Sequence, residues 1–125
     1  MKYISTRGGG TPQSFEQVLL TGLAPDGGLY VPVELPAFSS EQIASWRDLS
    51  YVDLALEVIS PFIGDALYPE ELKRIITESY TDFGHPDVAP LITLRENEYL
   101  LELYHGPTLA FKDFALQVLG RLLDH

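Results

Sequence analysis

The sequence contains no cysteine. A disulfide framework and a thiolate metal site are therefore excluded, and any chemistry must use other side chains. It also has no apolar run long enough to cross a bilayer, and its first residues lack the apolar stretch of a secretory signal. From these absences we expect a soluble protein of the cytoplasm.

Basic residues are also scarce, since eight Lys and Arg stand against 18 Asp and Glu and give a formal net charge of -10. That charge would repel nucleic acid and anionic lipid, so neither is an expected partner. The scattered acidic residues are typical of a solvated surface. Because His85, His105 and His125 show no zinc spacing, no metal site is expected. His105 is expected to shape the loop that contains it.

Capping residues and apolar spacing predict four helices in the first 80 residues. The predicted helix starts are Ser14 with Gln17 three residues on, Ser39 or Ser40, Ser50, and Pro69. Gly22 is expected to end the first helix near Thr21, and Pro61 to end or kink the third. The fourth helix, with Leu72 and the two isoleucines after it on one face, is expected to run to about Tyr80.

The remaining segments predict short strands and one further helix. Residues 29–33 read as an extended segment, which Pro32 confines to a sheet edge. Residues 91–94 and 99–104 read as a hairpin, and apolar positions from Phe111 onward follow helical spacing. The predicted fold class is α/β. We expect a mainly helical N-terminal domain over residues 1–90 and the beginning of a second domain over residues 91–125.

Lys112 is the main candidate for chemistry. Gly106-Pro107-Thr108 breaks regular structure ahead of the last helix, and Thr108 is predicted to be its N-cap, with Lys112 in the first turn. The helix N-terminus, with desolvation by Phe111 and a neighbouring phenylalanine, would lower the lysine pKa, while Asp113 would offset part of this effect. A neutral amine can form an imine with an aldehyde. From spacing alone, a solvated surface lysine remains the alternative interpretation.

A longer pattern bears on this choice. Residues 103–114, Leu-Tyr-His-Gly-Pro-Thr-Leu-Ala-Phe-Lys-Asp-Phe, resemble the lysine motif of the threonine synthase family. Residues 3–8, 14–16, 22–24 and 26–32 also resemble N-terminal segments of that family. Its members are pyridoxal-phosphate enzymes of the tryptophan-synthase-β type, which is fold type II. The resemblance therefore implies that residues 91–125 open such a catalytic domain and that the chain is truncated.

The resemblance also implies roles for individual residues. Lys112 would form the internal aldimine with pyridoxal phosphate and then transfer protons during conversion of O-phosphohomoserine and water into threonine and phosphate. Phe111 and Asp113 would lie near the cofactor, and Thr108 would contact cofactor or substrate. Independently of the resemblance, Arg7 with the three glycines after it could hold an anion through its guanidinium and backbone N–H groups, so Arg7 is a candidate for substrate binding. Packing or capping roles are the alternatives for the three residues near Lys112, and a simple mobile loop is the alternative for the glycine run.

The family's phosphate-binding and pyridine-binding segments lie well downstream of the lysine, so we expect the 125 residues to be inactive alone. Two other hypotheses stay open. One is a non-catalytic binding or docking module in which Lys112 is merely structural. The other is a related phospho-lyase that acts on a different phosphorylated amino acid.

Overall fold

The structure of the protein is a computed structural model that describes residues 1–124. His125, the third histidine of the sequence, lies outside the described residues. The described chain is α/β, as predicted. Its helices are α1 Phe15–Thr21, α2 Ser40–Ser45, α3 Tyr51–Ile63, α4 Pro69–Tyr80 and α5 Asp113–Leu123. Its strands are β1 Lys2–Ser5, β2 Gln13–Ser14, β3 Tyr30–Pro32, β4 Leu91–Arg95 and β5 Glu98–Leu101.

The predicted starts of the first four helices are confirmed. Three serine hydroxyls, those of Ser14, Ser39 and Ser50, each accept a hydrogen bond from the backbone N–H three residues further on. Pro69 is the first residue of α4. The prediction that Pro61 ends or kinks α3 was wrong about its end, because the helix continues to Ile63. The Gly64 N–H still reaches the Ser60 carbonyl at 2.9 Å, so the turn that contains the proline closes.

A three-stranded antiparallel sheet stands at the N-terminal end, in the order β2-β1-β3. Pro32 lies on edge strand β3, as predicted, whereas β1 and β2 were not predicted. Tyr3 on the central strand is buried and donates its hydroxyl hydrogen to the Phe62 carbonyl at 2.6 Å. This bond joins the sheet to α3.

The hydrophobic core is centred on α4. Ile75 and Ile76 are completely buried, and each contributes about 1.5–3 kcal/mol of burial free energy. The core comprises Ile63, Leu72, Ile75, Ile76, Tyr80, Phe83, Val88 and Val118. Because Val118 belongs to α5, that helix packs on α4 and shares its core. The domain boundary at residue 90 stays a prediction.

The predicted hairpin is present, with Leu91 opposite Leu101 and Ile92 opposite Leu100. Its second strand ends at Leu101, three residues earlier than predicted. Asn97 in the turn has a φ of 58°, a backbone conformation that asparagine tolerates better than most residues. The apolar side chains of both strands remain exposed. Within residues 1–124, no helix is long and apolar enough to cross a membrane.

Candidate functional site

The segment before α5 forms two successive turns rather than a helix. The Leu109 N–H bonds to the Gly106 carbonyl, and the Asp113 N–H bonds to the Ala110 carbonyl, each at 3.0 Å. Helix α5 therefore begins only at Asp113, and Lys112 occupies its N-cap position. The prediction that Lys112 lies in the first helical turn was wrong by one residue.

The predicted capping role of Thr108 was also wrong. Its hydroxyl donates to the Asp113 carboxylate at 2.9 Å, and its backbone N–H donates to the same carboxylate at 2.8 Å. Thr108 is therefore a double donor to Asp113 instead of an acceptor from the helix. The physical reason is that Asp113 is only 2% exposed, and a buried carboxylate requires hydrogen-bond donors. Thr108 lies five residues away and supplies two.

Burial of Asp113 by itself would raise the pKa of its carboxyl through desolvation. The hydrogen bonds from Thr108 and Gln117 outweigh that effect and hold the pKa below its usual value. The carboxylate is therefore ionised at neutral pH, and its charge is directed at the interior of the loop.

Gly106 makes this arrangement sterically possible. A Cβ atom at this position would lie 2.4 Å from the Asp113 Cβ and equally close to its Oδ2. Ordinary carbon contacts lie at about 3.5–4.0 Å, so any side chain at residue 106 would displace the carboxylate. Glycine is needed at residue 106 because it lets the backbone approach the Asp113 side chain closely.

Lys112 itself is exposed, and its side chain has no hydrogen-bond or ion-pair partner among residues 1–124. It lies on an open groove of about 390 Å³. The groove is lined by Leu103, Phe111, Lys112, Phe114, Ala115 and Leu116. Phe111 is 66% exposed, while the Phe114 ring packs on Phe83 with centroids 5.1 Å apart. The expected burial of the lysine by these rings is therefore not observed. The structure presents a free amine beside an apolar surface.

A second polar pair lies at the other end of the loop. His105 Nε2 is 2.7 Å from Glu102 Oε2, and both side chains are largely buried. The hydrogen bond from His105, together with one from Tyr104, lowers the pKa of Glu102. The His105 carbonyl accepts from the Gly84 N–H at 2.7 Å. His105 thus fixes the loop to a neighbouring segment, in agreement with the predicted shaping role.

Arg7 is not brought to this site. Its Nη1 donates to the Asp26 carbonyl at 3.0 Å, and the Gly9 N–H donates to the Asp26 carboxylate at 3.0 Å. Hydrogen bonds from Ser5 and Gly28 also reach that carboxylate, and the Ser5 bond is the largest cause of the lowered pKa of Asp26. The anion held by this segment is therefore the chain's own Asp26.

The structure therefore brings Thr108, Phe111, Lys112 and Asp113 together and leaves Arg7 apart. Glu102 was missed by sequence reasoning, although its spacing of three residues from His105 was a usable signal. Across the part of the chain that the structure describes, no group of three or more His, Asp or Glu could hold a metal ion.

A family model described as the threonine synthase N terminus matches residues 2–80, which is more than half of the chain. The chain belongs to the threonine synthase family. It is 58% identical over its whole length to threonine synthase from Pseudomonas aeruginosa and 46% identical over 99% of its length to that from Schizosaccharomyces pombe. These matches cover 27% and 24% of the two relatives.

A solved structure gives the same result for the fold. The crystal structure of pyridoxal-phosphate-bound threonine synthase from Brucella melitensis matches 99% of this chain with a TM-score of 0.96 and 50% identity. The match covers 27% of that protein. The α/β fold is therefore that of the N-terminal part of threonine synthase structures, and the chain spans about a quarter of the length of the relatives it matches.

Proposed function

We propose that this chain is the part of a threonine synthase that carries the cofactor-anchoring lysine, Lys112. The proposed reaction converts O-phosphohomoserine and water into threonine and phosphate with the help of pyridoxal phosphate. One observation carries the assignment: Lys112 is an exposed amine at an apolar groove with no partner among residues 1–124, within the segment that resembles the family's lysine motif. The likeness to a pyridoxal-phosphate-bound relative supports it.

The residues at the groove fit the aldehyde and the pyridine ring of the cofactor but not its phosphate. The aldehyde of pyridoxal phosphate requires a free primary amine, and the flat pyridine ring suits an apolar lining that includes Phe111. The phosphate requires backbone N–H groups, but those of residues 113–116 already bond to the preceding turns. We therefore propose that the phosphate and the ring nitrogen are held by other parts of the full-length polypeptide. In this proposal residues 1–90 form the N-terminal domain, and residues 91–125 open a catalytic domain of fold type II.

The chemistry follows from the amine and its surroundings. When bound, pyridoxal phosphate supplies an electron sink that stabilises negative charge on substrate carbons. The reaction also requires a base that removes and returns protons at adjacent carbons. Lys112 Nζ is proposed to remove and return these protons, because it ends a flexible four-carbon stem and no partner within the described part of the chain restrains it.

The other predicted site residues have different roles in the proposal. Phe111 is proposed to pack against the cofactor ring, since its side chain is exposed on the groove. Asp113 and Thr108 bond to each other, so their effect on the cofactor is proposed to pass through the backbone. A substrate contact for Arg7 would require it to release the Asp26 carbonyl.

The test is covalent mapping on the full-length polypeptide that carries this sequence. Protein mixed with pyridoxal phosphate is reduced with borohydride, digested and analysed by mass spectrometry. The sequence printed here has three lysines, Lys2, Lys73 and Lys112, which makes the assignment unambiguous in this region. We expect the label on Lys112.

Two variants sharpen this test. Lys112→Arg should remove the label and lower threonine formation from O-phosphohomoserine by a factor of about 10²–10⁴ or more. Lys73→Arg is the matched control, since Lys73 is ion-paired with Asp53 on the surface. The proposal is wrong if Lys112 stays unlabelled in active protein, or if Lys112→Arg retains wild-type activity.

A further inference from the structure

We propose that Asp113 is the positioning residue for Lys112, acting through the loop that its buried carboxylate closes onto Thr108. This inference rests on the proposed function of Lys112 and adds a residue that acts on it without touching cofactor or substrate. The observation behind this proposal is that two adjacent residues, Lys112 and Asp113, lie in opposite environments. Lys112 is exposed and has no partner among the residues that the structure describes, whereas the adjacent Asp113 is buried and accepts hydrogen bonds from Thr108.

The loop that precedes α5 is closed by Asp113. Two hydrogen bonds, from the Thr108 N–H and hydroxyl, tie residue 108 to residue 113. Lys112 lies within the six residues so closed, next to the point of closure. Hydrogen bonds to a charged acceptor are the stronger kind, so this closure restrains the backbone from which the lysine side chain extends.

The closed loop is anchored on both sides. Gly106 packs directly against the Asp113 carboxylate, as the absence of space for a Cβ atom shows. On the helix side, the Tyr80 hydroxyl of α4 donates to the Phe114 carbonyl at 3.0 Å. The backbone on either side of Lys112 is therefore tied to buried groups, while its amine has no bond to any described residue.

The start of α5 also affects the direction of the Lys112 side chain. Successive residues of a helix start point about 100° apart, because an α-helix has 3.6 residues per turn. The Asp113 side chain is directed into the loop, and the Lys112 side chain, one residue earlier, is exposed and lines the groove. A reacting group displaced by about 1 Å can lose a factor of about 100 in rate, so such backbone restraint matters for the chemistry.

The experiment measures how fast Lys112 reacts, in the full-length polypeptide. Thr108→Val removes one donor and keeps shape and the backbone N–H, Thr108→Ser keeps both donors, and Asp113→Asn keeps shape and loses the charge. Each variant is mixed with pyridoxal phosphate, quenched with borohydride over time and mapped at Lys112. The pH midpoint of the cofactor absorbance gives a second readout. Circular dichroism confirms that every variant is folded at the assay temperature.

We expect Thr108→Ser to label Lys112 within about twofold of wild type, and Thr108→Val and Asp113→Asn to label it about tenfold or more slowly with a shifted pH midpoint. A merely structural role would lower the melting temperature without changing the labelling rate of folded protein, and that result would overturn the inference. If Asp113→Asn does not fold, Thr108→Val decides. Failure of wild type to label Lys112 contradicts the proposed function, whereas equal labelling of wild type and variants contradicts the positioning role alone.

Discussion

Replacing Gly106 with alanine tests the packing on which the Lys112 loop depends. The new Cβ would lie 2.4 Å from both the Cβ and the Oδ2 of Asp113, so one side must move by about 1 Å to reach an ordinary contact. Asp113 cannot rotate away without losing the two bonds from Thr108. Overpacking of this kind costs about 1–3 kcal/mol. We therefore expect Gly106→Ala to lower the free energy of unfolding by about that amount.

Gly120 supplies a control in which the same substitution acts in the opposite direction. It lies inside α5, and a Cβ there would have no atom of residues 1–124 within 4 Å apart from its chain neighbours and the backbone of its own helix. Because alanine is favoured over glycine in helices by about 1 kcal/mol, Gly120→Ala should stabilise the protein. Thermal unfolding followed at 222 nm, with urea titration, measures both variants. If Gly106→Ala melted at or above the wild-type temperature, the close packing of residues 106 and 113 would be refuted.

Two further predictions concern the groups that hold the loop. Because the pKa of Glu102 is lower in the folded chain than in the unfolded chain, chiefly through His105, its carboxylate stabilises the fold above its ordinary pKa. This contribution is lost as pH falls through the lowered value, so melting temperatures of Glu102→Gln should depend less on pH between about 5 and 3 than those of wild type. An unchanged pH profile would exclude the pairing. Tyr80→Phe removes the hydrogen bond to the Phe114 carbonyl and should cost about 0.5–1.5 kcal/mol in a urea titration, and a neutral result would show that the bond adds no net stability.

The helices of the first 80 residues could be predicted because their signals are local. A serine cap and an apolar face are properties of a few adjacent residues, as at Ser14 and along α4. Strands β1 and β2 could not be predicted in the same way. They have four and two residues, and β1 exists through its pairing with residues 30–32, which are distant in sequence. The local signal of Pro61 also failed to predict the end of α3, since the helix continues to Ile63, which is buried in the core.

At the candidate site, the sequence indicated the break in regular structure before α5 but not its hydrogen bonds. Thr108 is a residue type that caps helices, but Asp113 is equally able to accept hydrogen bonds at a helix start. Whether Thr108 or Asp113 accepts the hydrogen bond depends on which side chain is buried. Burial in turn depends on the turns formed by residues 106–112. The anion expected near Arg7 is supplied by Asp26, because the turn at residues 26–28 lies against the glycine run. Neither outcome is encoded in spacing alone.

Helix α5 connects the hydrophobic core to Lys112. Val118 is buried in the α4 core, while the first residue of the same helix directly follows Lys112. An α-helix is stiff over a length of 11 residues, so the packing that fixes Val118 also limits how far its N-terminus can move. The Tyr80 hydroxyl holds the first turn against α4 at a second point. Two attachments along one stiff element fix both its position and its tilt. The core packing of the N-terminal helices therefore limits the direction in which Lys112 leaves the backbone.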